Sequence, residues 1–380
     1  MSRLRVAIIG CGKIADQHVW AIKRTGLADV VGVCDAEPLM AEQLAERSSA
    51  AHFAADPGQL IADARPDVVH ITTPPQSHFA LAMQCLEAGC HVYVEKPFTL
   101  NTEEAVRLIR TAQARDLKLT AGHNLQFTWE SMEARELVKM GFLGGPPVHI
   151  ESYYTYNLAH PGYAKALLGD KSHWVRRLPG KLLHNIISHG IARIAEFMDT
   201  DAPIVSALGY SSPLLRQIGE SDVTDELRTH ISDGANMTGS FVFSSQISPP
   251  MNGFRLYGPT SSLFVDNVHH TLIRSPHRSY KSYMNYFLPP VGTAREYLRN
   301  AGQNVGRFLR SRFHDDSGMK SLTEAFYRSV LGEAPLPISY EKILLTSRIM
   351  DGIFEQLRPE AADDTVQPAR ARPLVGGLRD

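Results

Sequence analysis

The residues with the clearest capacity for chemistry are Glu95 and Lys96, at the end of the run His-Val-Tyr-Val-Glu-Lys-Pro over 91–97. The run holds β-branched and aromatic residues and closes on a proline that forbids further pairing, so it reads as a short strand presenting a charged pair at its end. A lysine there suits proton transfer, because desolvation and a neighbouring positive charge both push an amine's pKa down towards the working pH. Taken alone, Glu-Lys-Pro has a competing reading as a surface ion pair. The second stretch is Gly10-Cys11-Gly12-Lys13-Ile14-Ala15, which follows the apolar run 5–9 and precedes a helical pattern over 16–24. This is G-x-G-x-x-A in a strand-turn-helix setting, the fingerprint of dinucleotide binding. Gly10 permits the tight turn, Gly12 lets backbone approach a pyrophosphate, and Ala15 allows close packing of helix on strand. A second apolar strand, 30–34, ends in Asp35, 23 positions after Gly12. A carboxylate there accepts hydrogen bonds from a ribose and repels a 2′-phosphate, which favours NAD over NADP.

These residues need a scaffold, and the first third of the chain supplies one. Helical 39–47, a short segment around His52 and Phe53, a helix near 58–63 and the apolar strand 67–71 follow in turn. Then come Thr72-Thr73-Pro74-Pro75-Gln76-Ser77-His78, with Ser77 placed to cap a helix over 79–88 that Gly89 ends. After the 91–95 strand, Asn101 caps a helix over 102–115, and 117–121 adds a sixth strand. Strands alternating with helices at this spacing define a doubly wound parallel sheet, whose ligands sit at the carboxyl ends of the strands.

The Gly10 to Ala15 turn, Thr73-Pro74 followed by His78, and Glu95-Lys96-Pro97 occur in this order within about the first 125 residues. In these motifs the chain closely resembles the Gfo/Idh/MocA family of oxidoreductases. The resemblance implies that Lys96 is the catalytic proton-transfer residue near the nicotinamide. It also implies cofactor contacts from Thr73, Pro74, His78, Glu95 and Asn124, beside Gly10, Gly12, Lys13, Ile14, Asp35 and Lys96. Members often carry arginine two residues after that asparagine, where this chain has Gln126.

Beyond Gly122 the pattern changes. Helical 130–140 and a Gly/Pro-rich break over 141–147 lead into strand patterns at 148–156, 204–210, 228–232, 236–245, 253–257 and 262–265. Runs of strands with a few helices describe an α+β domain on an open, mostly antiparallel sheet. The resemblance implies the same architecture, with the exposed sheet face used for subunit association. The segment 180–189 reads as one helix with Asn185 and His189 at i and i+4, on one face. It resembles the family's second signature, an acid and then a histidine four residues on, projecting toward the substrate. Catalysis is therefore assigned to Lys96 and His189. Asn185 stands where the family has aspartate and Lys181 where it has glycine. Asparagine takes no proton, so Asn185 is left with hydrogen bonding. Tyr153, His173, Trp174, Arg176, Arg177 and Asn185 complete the expected substrate side, together with Lys96 and His189. The alternation of Tyr153, Tyr154 and Tyr156 turns Tyr154 to the other sheet face.

At 380 residues, 43% hydrophobic and 21% charged, the chain has the composition of a globular protein with more than one domain. Lys plus Arg at 39 against Asp plus Glu at 40 leaves no basic field for nucleic acid. Four cysteines without a Cys-x-x-Cys pair, and no apolar leader, suit reduced thiols in the cytoplasm. No metal-ligand pattern occurs, and His184 and His189 are five apart, a poor fit to one helical face. The stretch 274–313 has eight Lys and Arg against one acid, Glu296, with aromatics between. It is expected to make a subunit contact or, failing that, to hold an anionic substrate or meet a membrane. The domains expected are 1–122 for NAD, 123–358 for substrate and oligomerisation, and a disordered tail over 359–380. The expected protein is an NAD-dependent oxidoreductase moving hydride between the nicotinamide and a hydroxyl or keto carbon of a sugar, cyclitol or nucleotide-sugar, as a homo-oligomer. A glycoside hydrolase with a closed NAD redox cycle and a non-enzymatic NAD-binding sensor are the alternatives.

Overall fold

The computed structural model describes residues 3–158, 170–217, 219–310 and 317–357; the tail expected to be disordered lies outside them. Apolar runs become the strands β1 (Leu4–Ile9), β2 (Ala28–Cys34), β3 (His52–Ala54), β4 (Val68–Ile71), β5 (His91–Val94) and β6 (Leu119–Ala121). All pair in parallel in the order β3-β2-β1-β4-β5-β6, so the order reverses between β1 and β4. That reversal opens a crevice at the carboxyl ends of those strands. The helices α1 (Ala15–Thr25), α2 (Pro38–Ser48), α3 (Pro57–Ala64), α4 (His78–Glu87) and α5 (Thr102–Ala114) make the crossovers. Asn101 caps α5 by accepting from the Glu104 N–H, as its position predicts. Ser77 does not cap α4; its hydroxyl turns to Thr73 Oγ1 at 2.7 Å and the Pro74 carbonyl at 2.9 Å, tightening the loop instead.

After α6 (Trp129–Lys139) the chain builds a second sheet from β7 (His149–Thr155), β8 (Ile204–Tyr210), β9 (Glu226–Ser232), β10 (Thr238–Ser244), β11 (Asn252–Tyr257), β12 (Ser261–Asp266) and β13 (Thr271–Pro276). The order is β13-β12-β11-β7-β10-β9-β8, with only β7 and β10 parallel. One face carries α8 (Ser188–Phe197) and α12 (Tyr340–Leu357), which pack Ile191, Ile194 and Ile353 with Ile150, Phe241 and Phe254. The protein is thus a Rossmann domain joined to an α+β domain with an open, mostly antiparallel sheet. The segment 180–189 is not one helix: α7 (Lys181–Ile186) stops at Ile187 before α8 begins, and a short α9 (Pro213–Gln217) follows β8. The sequence reading also missed β13, whose last residues it assigned to the basic insertion. As an edge strand it pairs on one side only, and its short pattern runs into Ser-Pro.

The helix α11 (Ser317–Val330) returns to the first domain, placing Leu322, Phe326 and Tyr327 in the core beneath the Rossmann sheet. Gly318 makes this approach possible. A Cβ there would lie 2.2 Å from the backbone oxygen of Asn124. Gly318→Ala is expected to lower stability by about 1–3 kcal/mol, read as a fall in melting temperature. An unchanged melt would show that α11 does not need this contact.

Candidate active site

The strand β5 ends at Val94, and the next two residues occupy the junction between the domains. Glu95 is buried and points into the first domain; Lys96 is half-buried and points to the second. The Lys96 ammonium donates to the backbone carbonyl of Asn185 at 3.2 Å. Burial lowers the Lys96 pKa from its ordinary value, with the Glu95 carboxylate opposing. For Glu95, burial acts upward, but the hydrogen bond and charge of His18 and the nearby Lys96 outweigh it and hold the carboxyl below its ordinary value.

Glu95 is fixed by a chain of buried polar side chains. Its Oε1 meets His18 Nε2 at 3.0 Å, His18 Nδ1 meets His70 Nδ1 at 2.8 Å, and His70 Nε2 meets the Tyr327 hydroxyl at 2.8 Å. His18, His70 and Tyr327 are inaccessible to solvent. A carboxylate only accepts, so His18 donates from Nε2. A neutral His18 then accepts from His70 Nδ1–H, whose Nε2 accepts the tyrosine proton; a protonated His18 reverses the last two bonds. Every member is satisfied in either arrangement, as a buried network requires. Burial, then the neighbouring His18, hold His70 neutral, and Tyr93 stacks on its ring with centroids 4.5 Å apart. The relay joins α1, β4, β5 and α11 under one carboxylate.

The dinucleotide turn has the geometry its glycines require. Gly10 has φ +101°, and a Cβ would come within 2.8 Å of the Thr72 and Thr73 backbone. At Gly12 a Cβ would meet no protein atom within 4 Å, so the protein leaves the room beside the turn free. The helix α1 has no side-chain cap at its N-terminus; the Ala15 N–H donates to the Gly12 carbonyl, and those of Gln17 and His18 to the Ile14 carbonyl. Lys13 is exposed and Ile14 half-buried at this mouth. Asp35 accepts from the Cys11 N–H at 2.6 Å and the Glu37 N–H at 2.9 Å. A carboxylate has about four acceptor positions, so two stay open for ribose hydroxyls. These features fit NAD. Thr73 and Pro74 line the loop after β4, and Asn124 starts the turn after β6. His78, expected to touch the cofactor, is wholly buried between the carbonyls of Pro97 and Thr73, each 2.9 Å from a ring nitrogen. Its part is to tie the loop after β4 to the loop after β5.

The second domain closes the cleft with a set of residues only partly as expected. His189 enters beside Lys96, its ring stacked on Tyr154 with centroids 5.8 Å apart. Burial, the Lys96 charge and nearby His123 and Arg193 hold it well below the ordinary histidine value. Its Nδ1 is buried without a protein partner, as are His123 Nδ1, His184 Nδ1 and Ser188 Oγ. Burial lowers His123 and His184 to about 4. His123, His184 and Ser188 share one small pocket, bounded also by Pro97 and Met350. Asn185 meets Lys96 through its backbone carbonyl. Tyr153 faces the other side of the sheet, donating to Glu151 at 2.7 Å, so Tyr154 replaces it on the site side. The pleat was read correctly and the side inverted, because only the packing of α8 decides which face is inward. Arg176 pairs with Glu220 at 2.6 Å and is not free for an anion, while Arg177 is exposed. His173 and Trp174 do reach the cleft mouth, where Gln76 donates to the Trp174 carbonyl at 2.7 Å. Lys181 adopts φ +45°, a region that favours glycine, and its amine pairs with Asp222. Gln126 is structural: its amide donates to the Ala192 carbonyl at 2.8 Å.

Several of these residues had a readable signal. His123 stands just past β6, at the same sheet rim as Lys96, and His70 is a polar residue inside the apolar strand Val-Val-His-Ile. Tyr327 had none, since its partner is 257 positions away.

The fold and the cleft describe a Rossmann domain joined to an α+β domain, with the Lys96 amine at their junction. Residues 4–123, about a third of the chain, match the Gfo/Idh/MocA model, described as oxidoreductase family, NAD-binding Rossmann fold. It is 35% identical over 144 residues to a D-glucoside 3-dehydrogenase of Escherichia coli, covering 38% of this chain and 41% of that one. It is 40% identical over 123 residues to a UDP-N-acetylglucosamine 3-dehydrogenase of Acidithiobacillus ferrooxidans, covering 32% and 38%. The matches span about two-fifths of the length of these relatives. A solved structure of the WlbA dehydrogenase from Bordetella pertussis, in complex with NADH and UDP-GlcNAcA, superposes with a TM-score of 0.72 at 16% identity, over 94% of this chain and 96% of that one. At that identity the likeness shows the fold.

Glu95→Gln tests the electrostatics of the site. Removing the negative charge is expected to lower the Lys96 pKa further, measured by NMR titration of the isotopically labelled lysine; an upward shift would contradict the arrangement. The sign for stability follows from the depressed carboxyl. Its contribution is fully present above the ordinary value of 4.5 and lost as pH falls through the lower folded value. The variant is therefore expected to differ most from wild type in thermal stability at neutral pH and least in acid.

Proposed function

We propose that the protein is an NAD-dependent oxidoreductase acting between a hydroxyl and a keto carbon of a sugar, cyclitol or nucleotide-sugar. The observation that carries this reading is Lys96: an amine with a lowered pKa, at the carboxyl end of a Rossmann strand and facing His189. NAD would be held by the Gly10–Cys11–Gly12 turn, the start of α1, Asp35 and the loop at Thr73 and Pro74. When bound, the cofactor supplies the acceptor or donor of hydride. Lys96, as the neutral amine, takes the hydroxyl proton. The Asn185 carbonyl accepts one of its N–H bonds and turns the lone pair toward the cleft. His189, held neutral, hydrogen-bonds the reacting oxygen and fixes its approach. Glu95 keeps the product ammonium favourable by Coulomb attraction without itself reaching the substrate.

The curated relatives act on a glucoside and on a nucleotide-sugar, which supports a pyranose hydroxyl as the target. His173 and Trp174 at the mouth offer ring faces to such a sugar. The open face of the second sheet, with Glu151, Tyr153, Arg255 and Tyr257, supports self-association there. Four buried free thiols, whose burial disfavours the thiolate, suit the cytoplasm.

Lys96→Met is expected to cut turnover at least ~100-fold while leaving NAD binding intact. The measurement is absorbance at 340 nm with glucosides, cyclitols and UDP-sugars, beside a fluorescence titration of the cofactor. Near-normal turnover in the variant would end the assignment. Asp35→Ala is expected to narrow the preference for NAD over NADP, read from kcat/KM with each cofactor; an unchanged ratio would remove Asp35 from the ribose site.

A further inference from the structure

The helix α10 (Leu288–Leu309) is docked the wrong way round for a surface helix. Ordinarily the apolar stripe faces the body and the polar side faces water. Here the docked stripe is polar. Asn300, the helix's one buried residue, accepts from the Leu272 N–H and donates to the Leu272 carbonyl, each at 2.9 Å, and so satisfies the free edge of β13. Glu296 pairs with Arg274, Arg299 with Glu133, and Asn304 donates to the His269 carbonyl at 3.1 Å. The spacing 296, 299, 300, 304 marks one side of the helix.

The opposite side carries Val291, Leu298, Val305 and Leu309, with Phe308 and Tyr297 at its margin, all at least half exposed. The turn leading in adds Tyr283, Tyr286 and Phe287, between 64% and 78% exposed. This is a continuous apolar and aromatic ridge about 33 Å long. No helix among the described residues is long and apolar enough to cross a membrane, so the ridge is not part of a span.

Charge identifies the occupant. Flanking the ridge stand the exposed cations Lys281, Arg295 and Arg310, with exposed Arg278 sharing a groove with Arg295, and between 277 and 310 no acidic residue is exposed, since Glu296 is held by Arg274 and Arg299. A second copy meeting this face about a two-fold axis sets the same cations against themselves with no acid to answer them. An anionic bilayer answers both features: apolar side chains enter the acyl boundary, tyrosines lie at headgroup level, and cations meet phosphate. We propose that α10 and its lead-in turn dock the protein on the surface of a membrane rich in anionic phospholipid. The observations behind this are independent of the reading of Lys96.

The test is sedimentation of the full-length protein with vesicles of phosphatidylcholine alone and of phosphatidylcholine with phosphatidylglycerol at about 3:1. Binding is expected on the anionic vesicles only, weakened by salt. Arg295→Gln with Arg310→Gln is expected to weaken partitioning about 25-fold, at about fivefold per cation. Leu298→Glu with Phe308→Glu is expected to abolish it, with melting temperature unchanged because both side chains already face solvent. Hydrogen exchange of the wild type reads the same question without a variant: vesicles should protect 283–309. Absence of sedimentation, protection confined elsewhere, or a vesicle-indifferent dimer that Leu298→Glu dissociates would each overturn the proposal, the last by showing that a second copy covers the ridge.

Discussion

A buried carboxylate is expensive unless it is fully answered, and in this protein the answering of Glu95 organises the first domain. Four elements contribute to it. The helix α1 brings His18, β4 brings His70, β5 brings Glu95 itself, and α11, arriving from the far end of the chain, brings Tyr327. Lys96 is the next residue and inherits this rigidity: its backbone N–H bonds the same carboxylate at 3.1 Å, so the amine leaves from a fixed point on the cleft floor. The proton transfer proposed for Lys96 needs that fixity, because the amine's reach must match the reacting oxygen to within a fraction of an ångström.

The second domain adds what the Rossmann crevice lacks. The break between α7 and α8 at Ile187 turns the Asn185 carbonyl to Lys96 and lets His189 begin a new helix packed on the sheet. Tyr154, reaching from that sheet, holds the imidazole by stacking. His123, His184 and Ser188 line a small pocket with Pro97, Phe98 and Met350, and leave two ring nitrogens and a hydroxyl without a protein partner. Burial pulls the amine and the imidazoles toward their neutral forms together. A cluster of bases held neutral by desolvation is an arrangement for accepting protons.

The far edge of the second sheet solves a different problem. The strand β13 ends the sheet and exposes backbone groups, a hazard for unwanted pairing. The helix α10 covers that edge with an amide and ion pairs, and so must turn its apolar side outward. Covering an edge with polar contacts and offering a greasy, cationic ridge to the outside are two consequences of one docking.

By itself the sequence determined the first domain and where its chemistry-bearing residues stand. Gly10, Gly12 and Ala15 act within one turn, Asp35 ends an adjacent strand, and Lys96 sits where an apolar run meets proline, so local pattern and strand-helix alternation suffice. The seven-stranded sheet was legible in outline for the same reason, because alternating polarity marks a strand wherever it pairs. Only tertiary structure decided the rest. Whether Tyr153 or Tyr154 faces the site depends on which sheet face α8 covers, a choice the alternation leaves symmetric. Arg176 looked free until the fold set Glu220 beside it, and His78 looked accessible until two loops closed over it. The relay under Glu95 spans 18 to 327, and no local pattern carries a contact of that separation. Periodicity records which residues prefer to be buried; it does not record against what, and the partners of buried polar groups are chosen by the packing alone.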